Sequence, residues 1–568
     1  MIRRIKNSWS NLLFHINHKK RSRAIFGSRY AVDLKPVSTA VVNPPAVVGI
    51  YPDVEGSQLL WISVDEQLDC MEKYYNENNR LLSFFKTIGN VVPVFYTESY
   101  HNAVELLFRL KTEQLIDCFI VSSDLEILKI CYQEYAEVGR VWCVPSGMEL
   151  SEIMKTAHSC CINTVCTNGD YTKEQVFYLK QRLITVWQRD YGNSAVSLYK
   201  LMLSGCRAIV TEQPKILNAL LQTFSQTPVI IQEPIIIGHR GISSNKKYME
   251  NTLTTAIEAI KLGANVIDVD TRLTKDGKLI AFHGWVIDRL LEGSGEVRSY
   301  TLEELQNMKY RYGMNPDEKV LQVNELVQTL IETFPEKDLM FTFEIGGDIV
   351  GSVEKLLELL TAYPLLQDKV MVKCKNGHYG YAELKKQLPY LPVRNYVNEI
   401  TTPVFYKNYI LLHFLAEQRK QTIQWCGKYR FFHKKLLKQI QLRSNLVIKL
   451  MQNTVKKVKN DLFSGIELLI TDINLAKDFA YALECDKEIC LSVGENFTPT
   501  VTLHGCAVAE ETTADEVVIL DGESFVSIAG GNITALKKGV CHIYLKKKTA
   551  YHDVEYFVLS DAVKLIVE

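Results

Sequence analysis

The chain has 568 residues, which is too long for one ordinary hydrophobic core, so about two to four domains are expected. Apolar residues make up 47% and charged residues 23% of the sequence, a globular composition that argues against long disordered segments. Lysine plus arginine and aspartate plus glutamate each number 65, so the net charge is zero and gives no indication of a nucleic-acid partner.

The first segment, residues 1–45, is a basic tail that ends in a linker containing prolines. Its apolar residues are interrupted by Asn, Ser and His, and no small-residue cleavage site follows, so it is a poor signal peptide. Two interpretations stay open: a short amphipathic helix in peripheral contact with an anionic membrane, and a solvated basic tail. No run in the chain reaches the roughly 18–20 apolar residues of a membrane-spanning helix.

The 14 cysteines are scattered along the chain. Cys160 and Cys161 are adjacent, but no CxxC pair or Cys/His cluster has the spacing of a zinc site. We therefore expect reduced, buried thiols, which favour a cytoplasmic location.

Residues 46–232 alternate short apolar runs with amphipathic, helix-like stretches. Repeated β-then-α units of this kind predict a parallel sheet, and seven of them in a row predict a barrel or most of one. The runs are LLWISV, VVPVFY, CFIVSS, VWCVP, INTVC, LITVW and RAIVT.

Residues 233–484 contain a second series of the same kind. Its last strand follows a Ser-Gly pair and ends in Thr-Asp (SGIELLITD), as the first series ends in SGCRAIVTE, so an internal duplication at domain scale is expected. The segment from about 389 to 445 is basic and aromatic and gives no clear strands. The predicted runs are PIIIGHR, NVIDVD, LIAFHG, MFTFEI, KVMVK, LVIKLM and ELLITD.

Charged side chains end several strands of this second series, where a (β/α)8 barrel places its active site. Two carboxylates from one strand and one from another suit a hard cation such as Mg²⁺ or Ca²⁺, which prefers oxygen ligands. Two histidines suit a proton donor and a proton acceptor at a phosphoryl group, and an arginine can hold phosphate oxygens. The residues are His239 and Arg240 from the first strand, Asp268 and Asp270 from the second, His283 from the third and Glu344 from the fourth.

Each of these signals is common when taken singly; their order along one barrel is specific. The run GHRGISSNKKYMENTLTTAIEAIKLGANVIDVDTRLTKDGKLIAFHGWVIDRLLEGSGEV resembles the opening of glycerophosphodiester phosphodiesterases: His-Arg-Gly, Glu-Asn-Thr, Thr-Lys-Asp-Gly and a second His. The resemblance is dense from 235 to about 300, thins after 350 and returns at LLITD.

The resemblance implies a TIM-type barrel and metal-dependent hydrolysis of a glycerophosphodiester to an alcohol and glycerol 3-phosphate. The substrate would be a small molecule or a glycerophosphate-bearing polymer. One divalent cation, Mg²⁺ or Ca²⁺, is the implied cofactor. The implied roles are catalysis for His239 and His283, phosphate contact for Arg240, support for Glu250 with Asn251 beside it, and metal ligation for Asp268, Asp270 and Glu344.

The sequence departs from the family pattern at four places. Asp268 stands where the family usually has Glu, Gly284 where an Asp usually follows the second histidine, and Gly346 where a Lys is usual. The tryptophan typical of the seventh strand is absent from LVIKLMQN. Two alternatives therefore stay open: a catalytically impaired protein that binds phosphodiesters or glycans, and a cyclising, phospholipase-C-like phosphodiesterase acting on lipid headgroups.

The flanking regions complete the predicted architecture. Residues 46–232 lack His-Arg-Gly and Thr-Lys-Asp-Gly, so they are interpreted as a degenerate, non-catalytic copy of the second series, with missing early strands as one version. In residues 485–568 short strands alternate with turn residues, which predicts a small all-β sandwich. SVGENFTPTV and FVSIAGGNITALKKGVCHIYLK resemble bacterial immunoglobulin-like domains and imply a binding or scaffolding role with no ligand indicated.

Overall fold

Two eight-stranded parallel barrels follow each other along the chain in this computed structural model. The structure describes residues 31–568 except 36, 39, 53, 66–80, 225–226, 243–247, 314, 316, 346–348, 375–381, 383, 398–406, 421, 426–437, 444–447, 453, 473–477 and 507–508. Residues 1–30 of the basic N-terminal tail, and Gly346, lie outside the described residues.

A short strand, β1 (Val41–Val42), precedes the first barrel. The barrel strands are β2 (Ala46–Ile50), β3 (Leu59–Ser63), β4 (Val92–Tyr96), β5 (Phe119–Ser122), β6 (Gly139–Cys143), β7 (Thr164–Thr167), β8 (Thr185–Arg189) and β9 (Ala208–Thr211). Its helices are α1 (Leu81–Thr87), α2 (Tyr100–Thr112), α3 (Leu125–Tyr135), α4 (Leu150–Ser159), α5 (Lys173–Gln181), α6 (Ala195–Leu203) and α7 (Pro214–Gln222).

The first barrel is closed, because β2 pairs in parallel with both β3 and β9. The strands are short and almost wholly apolar because helices cover their outer face and side chains fill the interior. The seven predicted runs are seven of the strands; the eighth is AVVGI at Ala46–Ile50. The alternative prediction that this domain lacks its early strands was therefore wrong.

A second short strand, β10 (Val229–Ile230), leads into the second barrel. Its strands are β11 (Ile235–His239), β12 (Val266–Leu273), β13 (Leu279–Ala281), β14 (Met340–Ile345), β15 (Val370–Cys374), β16 (Val393–Val397), β17 (Thr422–Trp425), β18 (Ile448–Gln452) and β19 (Leu468–Thr471). The helices are α8 (Leu253–Lys261), α9 (Leu302–Gln306), α10 (Val323–Thr333), α11 (Ile349–Ala362), α12 (Lys407–Lys420) and α13 (Val455–Leu462), with 3-10 turns at Val297–Ser299 and Pro364–Leu366.

Eight of these nine strands form the ring, and β13 lies outside it. β11 pairs with β12 and with β19, which closes the barrel, whereas β13 pairs antiparallel with the far end of β12. The prediction that LIAFHG is the third barrel strand was wrong. Only the residues 274–278 separate β12 from β13, and a parallel crossover needs about a dozen or more residues. Glu344 therefore belongs to the third barrel strand.

The two barrels meet at the N-terminal ends of their strands. Leu183, from the loop before β8, is buried among Ile235, Val266 and other residues at the floor of the second barrel. Leu442 is buried in the interior cluster of the first barrel. Each barrel is thus closed at its N-terminal end by a leucine from the other half of the chain. The C-terminal ends of the two barrels, where the βα loops lie, therefore point away from each other.

The C-terminal region consists of β strands in three sheets. Its largest sheet is built on the 13-residue β28 and is extended by β29, β10 and β1, so both linkers before the barrels are tied to it. The immunoglobulin-like class stays a prediction. The elements are β20 (Ala480–Glu484), β21 (Glu488–Leu491), β22 (Asn496–Phe497), β23 (Thr500–Gly505), β24 (Ala509–Thr513), β25 (Glu516–Asp521), a 3-10 turn at Glu523–Phe525, β26 (Val526–Ala529), β27 (Asn532–Ala535), β28 (Gly539–Tyr551), β29 (Val554–Leu559) and β30 (Val563–Val567).

Within the described residues, no helix is both long enough and apolar enough to cross a membrane. The cysteines whose side chains the structure describes are free thiols.

Candidate active site

Strand register gathers four charged residues at one level of the second barrel. Asp270, Glu344, Lys373 and Arg394 are successive Cα partners on β12, β14, β15 and β16. Partners in parallel register point to the same face of a sheet, and all four side chains are at most 1% exposed. The interior of this barrel thus carries a row of two acids followed by two bases.

This charged row lies above an apolar floor that contains Met340 and Met371. Lys373 is two residues after Met371 on the same strand, so both side chains face the barrel interior. Asp268 pairs in register with His239 on the neighbouring β11 and completes the acidic trio. The structure therefore brings the predicted Asp268, Asp270 and Glu344 together inside one barrel.

His239 is held by a carboxylate that follows the eighth barrel strand. Its Nδ1 contacts Oδ1 of Asp472, the residue directly after β19, in a short hydrogen bond. A carboxylate on Nδ1 keeps the proton on that nitrogen and leaves Nε2 as an acceptor. Asp472 was not assigned a role from the sequence, although it ends the LLITD run at which the family resemblance returns.

Arg240 joins the first loop to the acidic trio. Its Nε lies 2.7 Å from Oδ2 of Asp270, and a terminal nitrogen donates to Oε2 of Glu250 at 3.1 Å. Asn251 donates to Oδ2 of Asp270 at 3.3 Å and accepts from the backbone N–H of Asp270 at 3.0 Å. Arg240 and Asn251 both have positive φ, 56° and 59°, so the loop adopts a tightly constrained shape around Asp270.

His283 lies on the same network from the opposite side. Its Nδ1 is 3.2 Å from Oε1 of Glu250 and 2.7 Å from a terminal nitrogen of Arg289, which also contacts Glu250. Burial alone would raise the pKa of Glu250, but hydrogen bonds with His283 and Arg289 and the charge of Arg240 outweigh burial and lower it to about 2. Glu250 is therefore ionised at neutral pH and links both sides of the site.

Lys373 was not recognised from the sequence as a site residue. Its Nζ lies 3.0 Å from Oδ2 of Asp268 and 2.7 Å from Oε2 of Glu344. Arg394 approaches Oδ1 of Asp268 to 3.7 Å. Burial would raise the pKa of Asp270, but the positive charges of Lys373 and Arg240 hold it below its usual value.

The predicted metal ligands are thus already paired with cations. One oxygen of Asp268 and one of Asp270 are buried without a hydrogen-bond partner, while the other oxygens of both residues contact Lys373 and Arg240. In the part of the chain that is described, no group of three or more His, Cys, Asp or Glu side chains is arranged to hold a metal ion. As arranged, the trio does not fit a shared Mg²⁺ or Ca²⁺, and the cation stays a prediction.

Residues 239–407 match the family model described as the glycerophosphoryl diester phosphodiesterase family. A domain of this family is thus recognised at residues 239–407, within the second barrel. This conclusion agrees with the resemblance of its opening motifs to that family.

Several proteins are similar to this domain. A glycerophosphodiester phosphodiesterase of Caldanaerobacter subterraneus is 36% identical over 165 residues, which cover 28% of this chain and 65% of that protein. A glycerophosphodiester phosphodiesterase of Bacillus altitudinis is 25% identical over 242 residues, which cover 42% of this chain and 94% of that protein. A solved putative glycerophosphodiester phosphodiesterase from Galdieria sulphuraria is 20% identical, with a TM-score of 0.36, and covers 42% of this chain and 94% of that structure.

The first barrel lacks the charged side chains of the phosphodiesterase domain at equivalent positions. Equivalence follows from register, because Val48 pairs with Leu59 and Val210 as Ile237 pairs with Val266 and Ile470. The equivalent pairs are Ile50 and His239, Trp61 and Asp268, Ser63 and Asp270, Tyr96 and Glu344, Val121 and Lys373, and Val141 and Arg394.

Proposed function

We propose that the second barrel hydrolyses glycerophosphodiesters to an alcohol and glycerol 3-phosphate. The family match and the relatives named as glycerophosphodiester phosphodiesterases support the reaction class. The observation that carries the proposal is that both imidazoles are oriented by a carboxylate on Nδ1. Asp472 contacts Nδ1 of His239, and Glu250, together with Arg289, contacts Nδ1 of His283.

Each imidazole is thus left with Nε2 for the substrate, and the proposed mechanism gives the two histidines different roles. With Asp472 on Nδ1, His239 presents an unprotonated Nε2 and acts as the general base. With the carboxylate of Glu250 accepting from Nδ1, His283 carries a second proton on Nε2 and acts, as an imidazolium, as the general acid.

In the proposed reaction His239 takes a proton from the attacking water as the water oxygen bonds to phosphorus. The bond from phosphorus to the leaving oxygen breaks, and the proton of His283 passes to that oxygen, so the alcohol leaves neutral. Arg240, whose guanidinium is already placed by Asp270 and Glu250, stabilises the charge on the phosphoryl oxygens. A following proton exchange with water restores both histidines.

The experiment is hydrolysis of glycerophosphocholine and glycerophosphoethanolamine by the full chain, with glycerol 3-phosphate measured as product. His239→Asn and His283→Asn should each lower kcat by about 10²–10⁴-fold, the usual contribution of general acid–base catalysis. His101→Asn, on the exposed surface of α2, is the matched control and should leave turnover unchanged. Full turnover in either active-site variant would refute the mechanism.

A second candidate is a phosphodiester-binding domain without turnover. The contact of each acidic residue of the trio with Lys373 or Arg240 favours it, because such a site needs no catalytic cation to hold its shape. Calorimetric binding of glycerophosphocholine without product formation would identify this case.

A further inference from the structure

Lys373 occupies a position that a bridging cation would take. Its ammonium contacts one carboxylate oxygen on β12 and one on β14, the two strands that supply all three predicted metal ligands. The side chain is 1% exposed, and its backbone position is fixed in register with Glu344. The contact is therefore built into the barrel interior.

The negative charges of the acidic trio are matched by cationic side chains without a metal ion. Asp268, Asp270 and Glu344 contribute three negative charges, and three cations lie against them: Arg240, Lys373 and Arg394. Arg272, which is also buried, lies close enough to Asp270 and Glu344 for their charges to act on it. A divalent ion bound among these side chains would leave an excess of positive charge in a buried region, which is unfavourable.

Two departures from the family pattern agree with this arrangement. Asp268 is one methylene shorter than the glutamate usual there, and its Oδ2 lies 3.0 Å from the ammonium of Lys373. In the sequence, glycine stands at position 346 where a lysine is usual, and Lys373 on β15 is a lysine that the family pattern did not lead us to expect.

We propose that the ammonium of Lys373, supported by Arg394, takes the place of the divalent cation that the sequence predicted for this site. The chain then holds its acidic trio, and turns over phosphodiesters, without Mg²⁺ or Ca²⁺. The statement about turnover rests on the proposed function; the statement about metal binding does not.

The first measurement is calorimetric titration of the EDTA-treated wild-type chain with Mg²⁺ and with Ca²⁺, together with its thermal unfolding in each. We expect no stoichiometric binding and no shift of the unfolding midpoint. We also expect the same rate of glycerophosphocholine hydrolysis in EDTA and in Mg²⁺. One tightly bound ion per chain at this site, or turnover that EDTA abolishes and Mg²⁺ restores, would overturn the proposal.

The second measurement uses Lys373→Met, which keeps the length of the side chain and removes its charge. This variant should bind Mg²⁺ or Ca²⁺, gain thermal stability from it, and lose turnover in EDTA by about 10²–10³-fold, the usual loss when one preorganised electrostatic group is removed. Lys355→Met, on the surface of α11 and paired with Glu358, is the control and should match wild type. The proposal would be contradicted if added Mg²⁺ or Ca²⁺ changed neither the unfolding midpoint nor the turnover of Lys373→Met.

These readouts separate the two proposals. If the wild type hydrolyses no phosphodiester in any buffer, the proposed function fails. The titrations of wild type and Lys373→Met still decide whether the lysine excludes the cation.

Discussion

Arg207 and Glu467 occupy equivalent positions in the two barrels, each directly before the eighth strand, and they pair with each other. Nε of Arg207 lies 2.9 Å from Oε1 of Glu467, and the side chains are 1% and 0% exposed. Equivalent residues can meet only where the two units are related by an approximate two-fold axis. The chain is thus arranged like a dimer of barrels joined floor to floor, with opposite charges at the axis.

The first prediction concerns this pair. Glu467→Gln leaves a buried guanidinium uncompensated and should lower the free energy of unfolding by about 3–5 kcal/mol. Glu488→Gln, which removes an exposed pair with Lys564, should change it by less than about 1 kcal/mol. Circular dichroism during urea unfolding measures both variants.

The exchanged double variant Arg207→Glu with Glu467→Arg provides a stricter test. Because the two positions are equivalent, the swapped pair should recover most of the stability that either single change removes. A double variant as unstable as the sum of the single variants would contradict the symmetric interpretation.

Most strands of both barrels could be predicted from short apolar runs, because a strand buried on both faces is apolar along its whole length. β16 and β17 were not recognised, because a buried charge, Arg394, interrupts the apolar pattern in the former and both strands lie in a basic, aromatic segment. β13 was assigned to the ring because a hairpin strand and a barrel strand have the same local pattern. Only the length of the preceding connection distinguishes them.

The site residues that belong to sequence motifs could be predicted, and those outside the motifs could not. The structure joins Arg240, Glu250 and Asp270 by direct contacts and places His239 in register with Asp268, as motif order along the first loop and second strand indicated. Lys373 stands in an ordinary KVMVK run, and nothing local shows that its strand neighbours one carrying a glutamate. Contacts of this kind depend on which residues of neighbouring barrel strands pair with each other, and this register cannot be predicted from the local sequence.

The second prediction concerns Asp472. Asp472→Asn should lower kcat for glycerophosphocholine, because an amide can present its N–H as well as its oxygen and no longer fixes the tautomer of His239. In the double variant with His239→Asn the additional loss should be small, since Asp472 acts through the imidazole. Equal, fully additive losses in steady-state kinetics would show that Asp472 acts independently.

The third prediction is a pH dependence of stability that arises from His158 on α4. Burial, followed by the charge of Lys385, lowers the pKa of His158 to about 3 from an ordinary value of 6.5, and its Nε2 contacts the carbonyl oxygen of Arg182 at 2.7 Å. The unfolded chain therefore binds one more proton than the folded chain between these two values. The contribution of the neutral His158 to the free energy of unfolding is fully present above pH 6.5. It is lost as the pH decreases towards 3, by up to about 1.4 kcal/mol per pH unit.

His158→Gln keeps an amide donor for Arg182 but does not titrate. Its stability should decline less steeply than that of the wild type between pH 6.5 and pH 4, as measured by urea unfolding at each pH. His101→Gln changes an exposed histidine and should keep the wild-type slope. Parallel curves for wild type and His158→Gln would exclude this origin.

The last prediction concerns Gly241, which follows Arg240 in the first loop of the phosphodiesterase domain. Its φ is +80°, and a Cβ added there would lie 2.5 Å from Oγ1 and 2.7 Å from the backbone carbon of Thr255, the third residue of α8. Backbone atoms at the capped start of a helix cannot move aside, so Gly241→Ala must shift the loop and withdraw Arg240 from Asp270 and Glu250. A displacement of about 1 Å at a catalytic group can lower turnover by about 10²-fold.

Gly277→Ala is the matched comparison, because φ is +69° but the nearest atom is a flexible lysine carbon at 3.8 Å. It should have only the backbone strain, about 1–2 kcal/mol, with normal turnover. If both alanine variants lose activity equally, strain rather than the collision with α8 is responsible, and the position of Arg240 does not depend on the missing side chain.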